Sequence, residues 1–150
     1  MQLSRFTDLG LRAMMLLSVR AASEERVTTR MIARQVNASE HHVAKAVTRL
    51  VDLGLVASQR GRAGGLFITE SGQTVSIGWL VRRMEGEGDV VQCEGDHPCP
   101  LVGACRLRGA LARAQEAFFR ELDRYTLDQV ASTKSADLLH LFAHRERVVS

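Results

Sequence analysis

Apolar residues recur at three- and four-residue intervals through the first third of the chain, the spacing of helices that bury one face. Leu3, Phe6, Leu9, Ala13, Leu16 and Leu17 hold that interval to about Ala22, with Ser4 or Thr7 placed to cap the first turn. A polar connection, Ser23–Arg26, interrupts the pattern, which resumes behind Thr28 or Thr29 with Ile32, Ala33 and Val36 inward. Asn37-Ala38-Ser39 makes a tight turn, and Ser39 caps a third helix from Glu40 to about Leu53. Val43, Val47, Leu50 and Val51 are its buried stripe. Two short helices joined by three residues predict a helix-turn-helix.

Gly54 ends the third helix as its first residue past the cap. Leu55–Gln59 and Leu66–Thr69 then read as two short strands around the flexible, basic tip Arg60-Gly61-Arg62-Ala63-Gly64-Gly65. A helix-turn-helix followed by a hairpin is a winged helix. His41, His42, Lys45, Thr48 and Arg49 lie on or near the face opposite the third helix's buried stripe, where base edges and phosphates are contacted. Arg60 and Arg62 at the wing tip reach phosphate or the minor groove. Each part alone is weak, since polar helix faces are usually just solvated; the ordered set points to double-stranded DNA.

Beyond the wing, Ser71 or Thr74 begins another helix with Val75, Trp79 or Leu80, Val81 and Met84 inward and Arg82 and Arg83 solvated. Gly86 and Gly88 break it. A long helix is expected from about Cys105 to Tyr125, with Leu107, Leu111, Ala114, Phe118, Leu122 and Tyr125 in one stripe. A small winged domain leaves such a stripe uncovered, so a homodimer and a pseudo-palindromic operator follow. Thr126–Ser135 is less regular, and Ser135 caps a last short helix over 136–145. His140 and His144 on it, with no third ligand beside them, read as surface histidines. The expected fold is mainly α with a small β-hairpin wing, a winged helix-turn-helix plus a long C-terminal dimerisation helix. Its parts are the DNA-binding domain 1–84, a cysteine loop 85–106, the dimerisation helix 107–130 and a tail 131–150.

Composition narrows this further. The 150 residues carry a net charge of +3, and 45% are hydrophobic, enough for a packed core without disulfides. Eighteen of the twenty basic residues are Arg, a residue suited to phosphate but also raised by genome composition. Arg5, Asp8 and Arg12 interrupt the N-terminal apolar pattern, which excludes a signal-peptide core, and no uncharged run reaches the roughly eighteen residues of a membrane span. Three cysteines without an export signal favour the cytoplasm and a metal or redox role over disulfides. No nucleophile–base pair or phosphate loop is present, so an enzyme is not expected.

The candidate chemistry lies in Gln92–Cys105, QCEGDHPCPLVGAC. Cys93, Cys99 and Cys105 are spaced with five residues between each pair, and Pro98 and Pro100 fix the backbone on both sides of Cys99. A loop of that length brings three sulfurs to one centre. Zinc wants four ligands and usually closer cysteine spacing, with His97 or Asp96 available to complete a loose site. Iron–sulfur clusters also want four ligands, preferably thiolates. Spacing alone leaves these two level, with metal-free thiols close behind.

Three stretches decide between them by resemblance. LSRFTDLGLRAMMLL, IARQVNASEHHVAKAVTRLVDLGLVASQRGRAGG and TVSIGWLVRRMEG with the three-cysteine loop resemble the bacterial winged-helix regulators that sense through iron–sulfur clusters, the family of IscR and NsrR. The likeness covers residues 1 to about 130, and the loop is most similar to the nitric-oxide-sensing branch. It implies a homodimeric cytoplasmic DNA-binding repressor with Cys93, Cys99 and Cys105 as cluster ligands, most simply of a 4Fe–4S cluster. Asp8 of the partner subunit would be the fourth ligand, ahead of His97, Glu94, Asp96 or a small exogenous ligand. On spacing alone, Asp8 is instead a solvated partner of Arg12. The resemblance also implies nitric oxide as the signal, with loss of operator affinity on nitrosylation. The alternatives it leaves are a redox or cluster-supply sensor with a 2Fe–2S cluster, and a structural-zinc DNA-binding protein.

Overall fold

Hydroxyl side chains start the first three helices of this chain. In the computed structural model, which describes residues 2–23, 25–86 and 88–131, Ser4 accepts from the Thr7 N–H and opens α1, Arg5–Arg20. Thr28 does the same for α2, Thr29–Gln35, and Ser39 for α3, Glu40–Asp52. Each such cap satisfies an N–H that the helix leaves unpaired and contributes about 1 kcal/mol. Asn37 in the turn between α2 and α3 takes a left-handed backbone, φ 52°, which Asn tolerates. Gly54 follows α3 at φ 73°, the left-handed position where a Cβ is strained.

The hairpin pairs β1, Val56–Gln59, with β2, Gly65–Ile68, antiparallel and in the register Val56 to Ile68 and Gln59 to Gly65. The tip closes with a Gly64 N–H to Gly61 carbonyl bond of 3.0 Å. On its other edge β2 is tied to the core by Leu66 N–H to Val27 carbonyl, 2.9 Å. The wing is thereby held near its tip, and a Thr69 N–H to Leu55 carbonyl bond of 3.0 Å closes its base.

The core is built mainly from α1, whose Leu9, Ala13, Met14, Leu16 and Leu17 are buried. Against them pack Val43, Ala46, Val47 and Leu50 of α3, and Leu80, Val81 and Met84 of the helix that follows the wing. Each fully buried Leu, Met or Val removes enough apolar surface for about 1.5–3 kcal/mol. The helix-turn-helix and wing, together the head, thus share one core, which Val27, Ile32, Leu55, Val56 and Leu66 join.

Three expectations are corrected past the wing. The single helix expected from Ser71 or Thr74 is two: α4, Glu70–Thr74, and α5, Ile77–Glu85, each with its own cap, Thr69 and Ser76. Val75 between them is extended, which frees its carbonyl for the Leu127 N–H at 3.0 Å. On α5, Leu80 is buried and Trp79 points outward. Arg82, expected to be solvated, instead forks onto Glu116 through Nη1 (2.7 Å) and Nη2 (3.1 Å) and lies over the Phe119 ring at 4.5 Å.

The long helix is the third correction. It runs as α6 over Arg106–Leu122, with Cys105 as its N-cap rather than its first residue, and it stops short of Tyr125. The chain then turns back, so that α7, Leu127–Val130, packs on α1 and α4. Ile77 N–H donates to the Tyr125 carbonyl at 2.8 Å, and Leu127 is completely buried. Burying Leu127 and pairing these backbone groups outweighs one more turn of exposed helix. Segment 107–130 therefore finishes the head's core as well as extending from it. At the α5–α6 crossing Gly78 is required, because a Cβ there would collide with the Phe119 carbonyl and the Asp123 carboxylate. The expected last helix, with His140 and His144, lies outside the described residues.

Candidate cluster loop and DNA-binding face

The chain leaves α5 at Gly86 and reaches α6 only at Arg106, and the described residues between them form no helix or strand. Local bonds give this loop its course. The Cys99 N–H donates to the Cys93 carbonyl at 2.9 Å, folding the segment between them into a closed turn. Val102 N–H to Cys99 carbonyl (3.1 Å) and Ala104 N–H to Leu101 carbonyl (3.0 Å) make two further turns leading to Cys105. Cys105 caps α6, its Sγ accepting from the Arg108 N–H at 3.5 Å. All three cysteines are free thiols and half-buried.

Helix α6 also grips the loop from the side. Arg108 donates from Nε (3.0 Å) and Nη2 (2.7 Å) to Asp89 Oδ2, and its Nη1 lies 3.0 Å from Glu94 Oε1. The hydrogen bond to Asp89, then that to Glu94, raises the guanidinium above its ordinary pKa. Gln115 Nε2 donates to the Gly88 carbonyl at 3.1 Å. The entrance of the loop and the start of α1 line one cleft of about 250 Å³, with Leu3, Glu85, Val90 and Phe118 in its walls. There the Ser4 N–H donates to Glu85 Oε1 at 2.7 Å.

Among the described residues, no three His, Cys, Asp or Glu side chains converge on one point as ligands of a single metal ion. The sulfurs share a loop but are not gathered as a one-ion site gathers its ligands. A multi-iron cluster takes its thiolates on separate irons and so spaces them farther apart. Three free, half-buried thiols on one loop are the chemistry of three of the four ligands that such a cluster takes. Asp8 stands on α1 with its Oδ1 accepting from Arg12 Nε at 2.8 Å, both side chains about half exposed. Glu94 is turned to Arg108, while Asp96 and His97 are exposed.

The residues expected to face DNA are all exposed: His41, His42, Lys45, Thr48 and Arg49 along α3, and Arg60 and Arg62 at the wing tip. Their individual states differ. His42 Nδ1 lies 2.7 Å from Ser39 Oγ, the cap of its own helix, and Thr48 Oγ donates back to the Ala44 carbonyl at 2.9 Å. Arg49 Nη2 donates to the Arg83 carbonyl at 3.2 Å, and Lys45 extends from the helix unengaged by any of these bonds. Arg26, which the sequence pattern did not single out, donates to the Arg62 carbonyl at 3.5 Å and steadies the tip. Arg108, Asp89 and Gln115 were also missed, because an ion pair across nineteen residues leaves no periodic trace.

A winged head with an exposed recognition helix and a basic wing is the architecture of a DNA-binding transcription regulator. The chain belongs to the Rrf2 family of iron-dependent transcriptional regulators, whose sequence profile matches residues 3–133. It is 51% identical over 139 residues to the HTH-type transcriptional repressor NsrR of Streptomyces coelicolor, covering 93% of this chain and 94% of that one. It is 37% identical over 138 residues to the HTH-type transcriptional regulator NsrR of Geobacillus kaustophilus, covering 91% and 93%. Among solved structures it resembles CymR, the global cysteine regulator of B. subtilis, with a TM-score of 0.67 and 28% identity over 89% of this chain and 98% of that one. The T. potens IscR structure shares the fold, with a TM-score of 0.66 at 22% identity over 87% and 85%. These relatives are regulators of transcription, not enzymes. Among the described residues, no helix is long and apolar enough to cross a membrane.

Proposed function

We propose that this protein is a homodimeric transcriptional repressor that senses nitric oxide through a 4Fe–4S cluster and releases its operator when the cluster reacts. The observation that carries the reading is the loop of three free, half-buried cysteines placed between α5 and α6 of a winged head. Similarity over 93% and 91% of the chain to a repressor and a regulator both named NsrR supports it. Cys93, Cys99 and Cys105 would hold the cluster, with Asp8 of the partner subunit as the fourth ligand. When bound, the group supplies an iron that a small diatomic molecule reaches more readily at an oxygen ligand than at a thiolate.

The chain's own residues translate loop state into head placement. For Asp8 to serve a partner's loop, its carboxylate must leave Arg12, an exposed pair whose loss costs little. Apolar surface that a second copy would cover remains around the start of α6, where Leu101 is 66% and Leu107 64% exposed, while Phe118 and Leu122 of the expected stripe pack against the head's own core. Two recognition helices must meet half-sites about 34–36 Å apart, so a small rotation of one head spoils simultaneous contact.

Anaerobic purification with absorption spectroscopy and iron and sulfide analysis tests the cofactor, and gel shifts with holo, nitrosylated and apo protein on one operator test the switch. The expected result is four irons per chain, tight binding by the holo form and weak binding by the other two. Two irons per chain would instead favour a 2Fe–2S sensor. A colourless, zinc-loaded protein that binds DNA equally in every state would overturn the reading.

A further inference from the structure

We propose that Arg108 is the positioning residue of the cysteine loop: it clamps the loop's entrance to α6 and so fixes the distance between Cys93 and Cys105. This rests on the cluster reading above. Among the described residues, the connection from Gly86 to Cys105 has three short backbone-bonded turns of its own, and loops of that length are uncommon in compact domains unless something holds them in place for a function. Arg108 supplies such an anchor at both ends. Its backbone N–H meets Cys105 Sγ at 3.5 Å, while its side chain meets Asp89 and Glu94, the latter adjoining Cys93 in sequence. All three guanidinium nitrogens are used, two on one carboxylate oxygen and one on the second carboxylate. Lysine cannot reproduce that, since an ammonium carries charge without the planar fork.

The consequence is a local one. An exposed ion-pair network contributes little to global folding, and Arg108 lies outside the head's core. Its loss should loosen the loop while the winged head melts as before. Bonds and charges next to ligand sulfurs also tune a cluster's potential and its retention.

Two measurements on Arg108→Gln and Arg108→Lys test this. In the metal-free, reduced protein, hydrogen–deuterium exchange of peptides spanning 88–105 should speed up severalfold in both variants, with peptides of α1 and α3 unchanged. In anaerobically loaded protein, iron release to a chelator should be severalfold faster and the midpoint potential displaced, at an unchanged melting temperature. If either variant folds poorly, Asp89→Asn and Glu94→Gln remove the same clamp from the loop side and should reproduce the effect. Loop exchange and iron release equal to the parent protein in all four variants would overturn the proposal. A parent protein that takes up no cluster would instead count against the cluster reading, and the exchange experiment would still decide whether Arg108 holds the loop.

Discussion

Arg49 Nη2 lies 3.2 Å from the carbonyl oxygen of Arg83, joining the recognition helix to the last turn of α5. Three residues after Arg83 the chain leaves α5 at Gly86 and enters the cysteine loop. The bond uses one of the five N–H groups of the guanidinium, so Arg49 can hold α5 and still reach a phosphate. Arg49→Ala is therefore expected to weaken operator binding and also to shrink the affinity difference between holo and apo protein. Lys45→Ala should weaken both forms by the same factor. Gel shifts of the two forms with each variant check this, and an unchanged holo-to-apo ratio in Arg49→Ala would remove Arg49 from the path between loop and DNA.

The wing should act through phosphate or the minor groove. Arg62 is exposed and its backbone is steadied by Arg26, which leaves its side chain available. Arg62→Ala is expected to lower the salt slope of operator binding by about one counterion if it meets phosphate. Loss of a base contact by Lys45 should instead relax sequence preference, at about 1–3 kcal/mol. Anisotropy titrations across a salt series separate the two. Unchanged operator affinity in a protein carrying both Arg62→Ala and Lys45→Ala would reject the assignment of both residues.

Leu127 tests whether the returning chain is part of the head. It is fully buried beneath α1, so Leu127→Ala should cost about 2–5 kcal/mol in thermal or denaturant unfolding. Leu107, 64% exposed on α6, should change stability by no more than about 0.5 kcal/mol on truncation but weaken self-association, as read by sedimentation. Similar stability losses in the two variants would contradict this division of labour.

Acid should loosen α6 before the head. The hydrogen bond from Arg82 holds the Glu116 carboxyl below the usual glutamate range. A carboxyl with a lowered folded-state pKa contributes stability above its unfolded value and loses it as pH falls through the folded one. The Arg82–Glu116 pair should thus be complete at neutral pH and lost only as pH falls below the ordinary glutamate range and through the lowered folded-state value. Glu116→Gln is expected to lower the melting temperature slightly at pH 7, and the difference should vanish in strong acid. A difference that persists at low pH would mean that Glu116 packs rather than pairs.

The helix-turn-helix, the wing and the location of the thiols were legible from residue order alone. Those features are local: Ser39 caps the helix that starts beside it, Gly54 ends it, and the stripe of Val43, Val47 and Leu50 is visible in its own spacing. Their neighbours along the chain are their physical cause. The remaining features depend on contacts between distant parts of the chain. Val75 is extended because its carbonyl meets Leu127, and α6 ends where Leu127 can turn into the core. Arg82 is engaged rather than solvated because α6 brings Glu116 against it. The course of the cysteine loop depends on Arg108 reaching back to Asp89, and Arg49 reaches α5 instead of facing only outward. Each of these bonds joins residues nineteen or more positions apart, and the free energy that selects them exists only once the helices have packed.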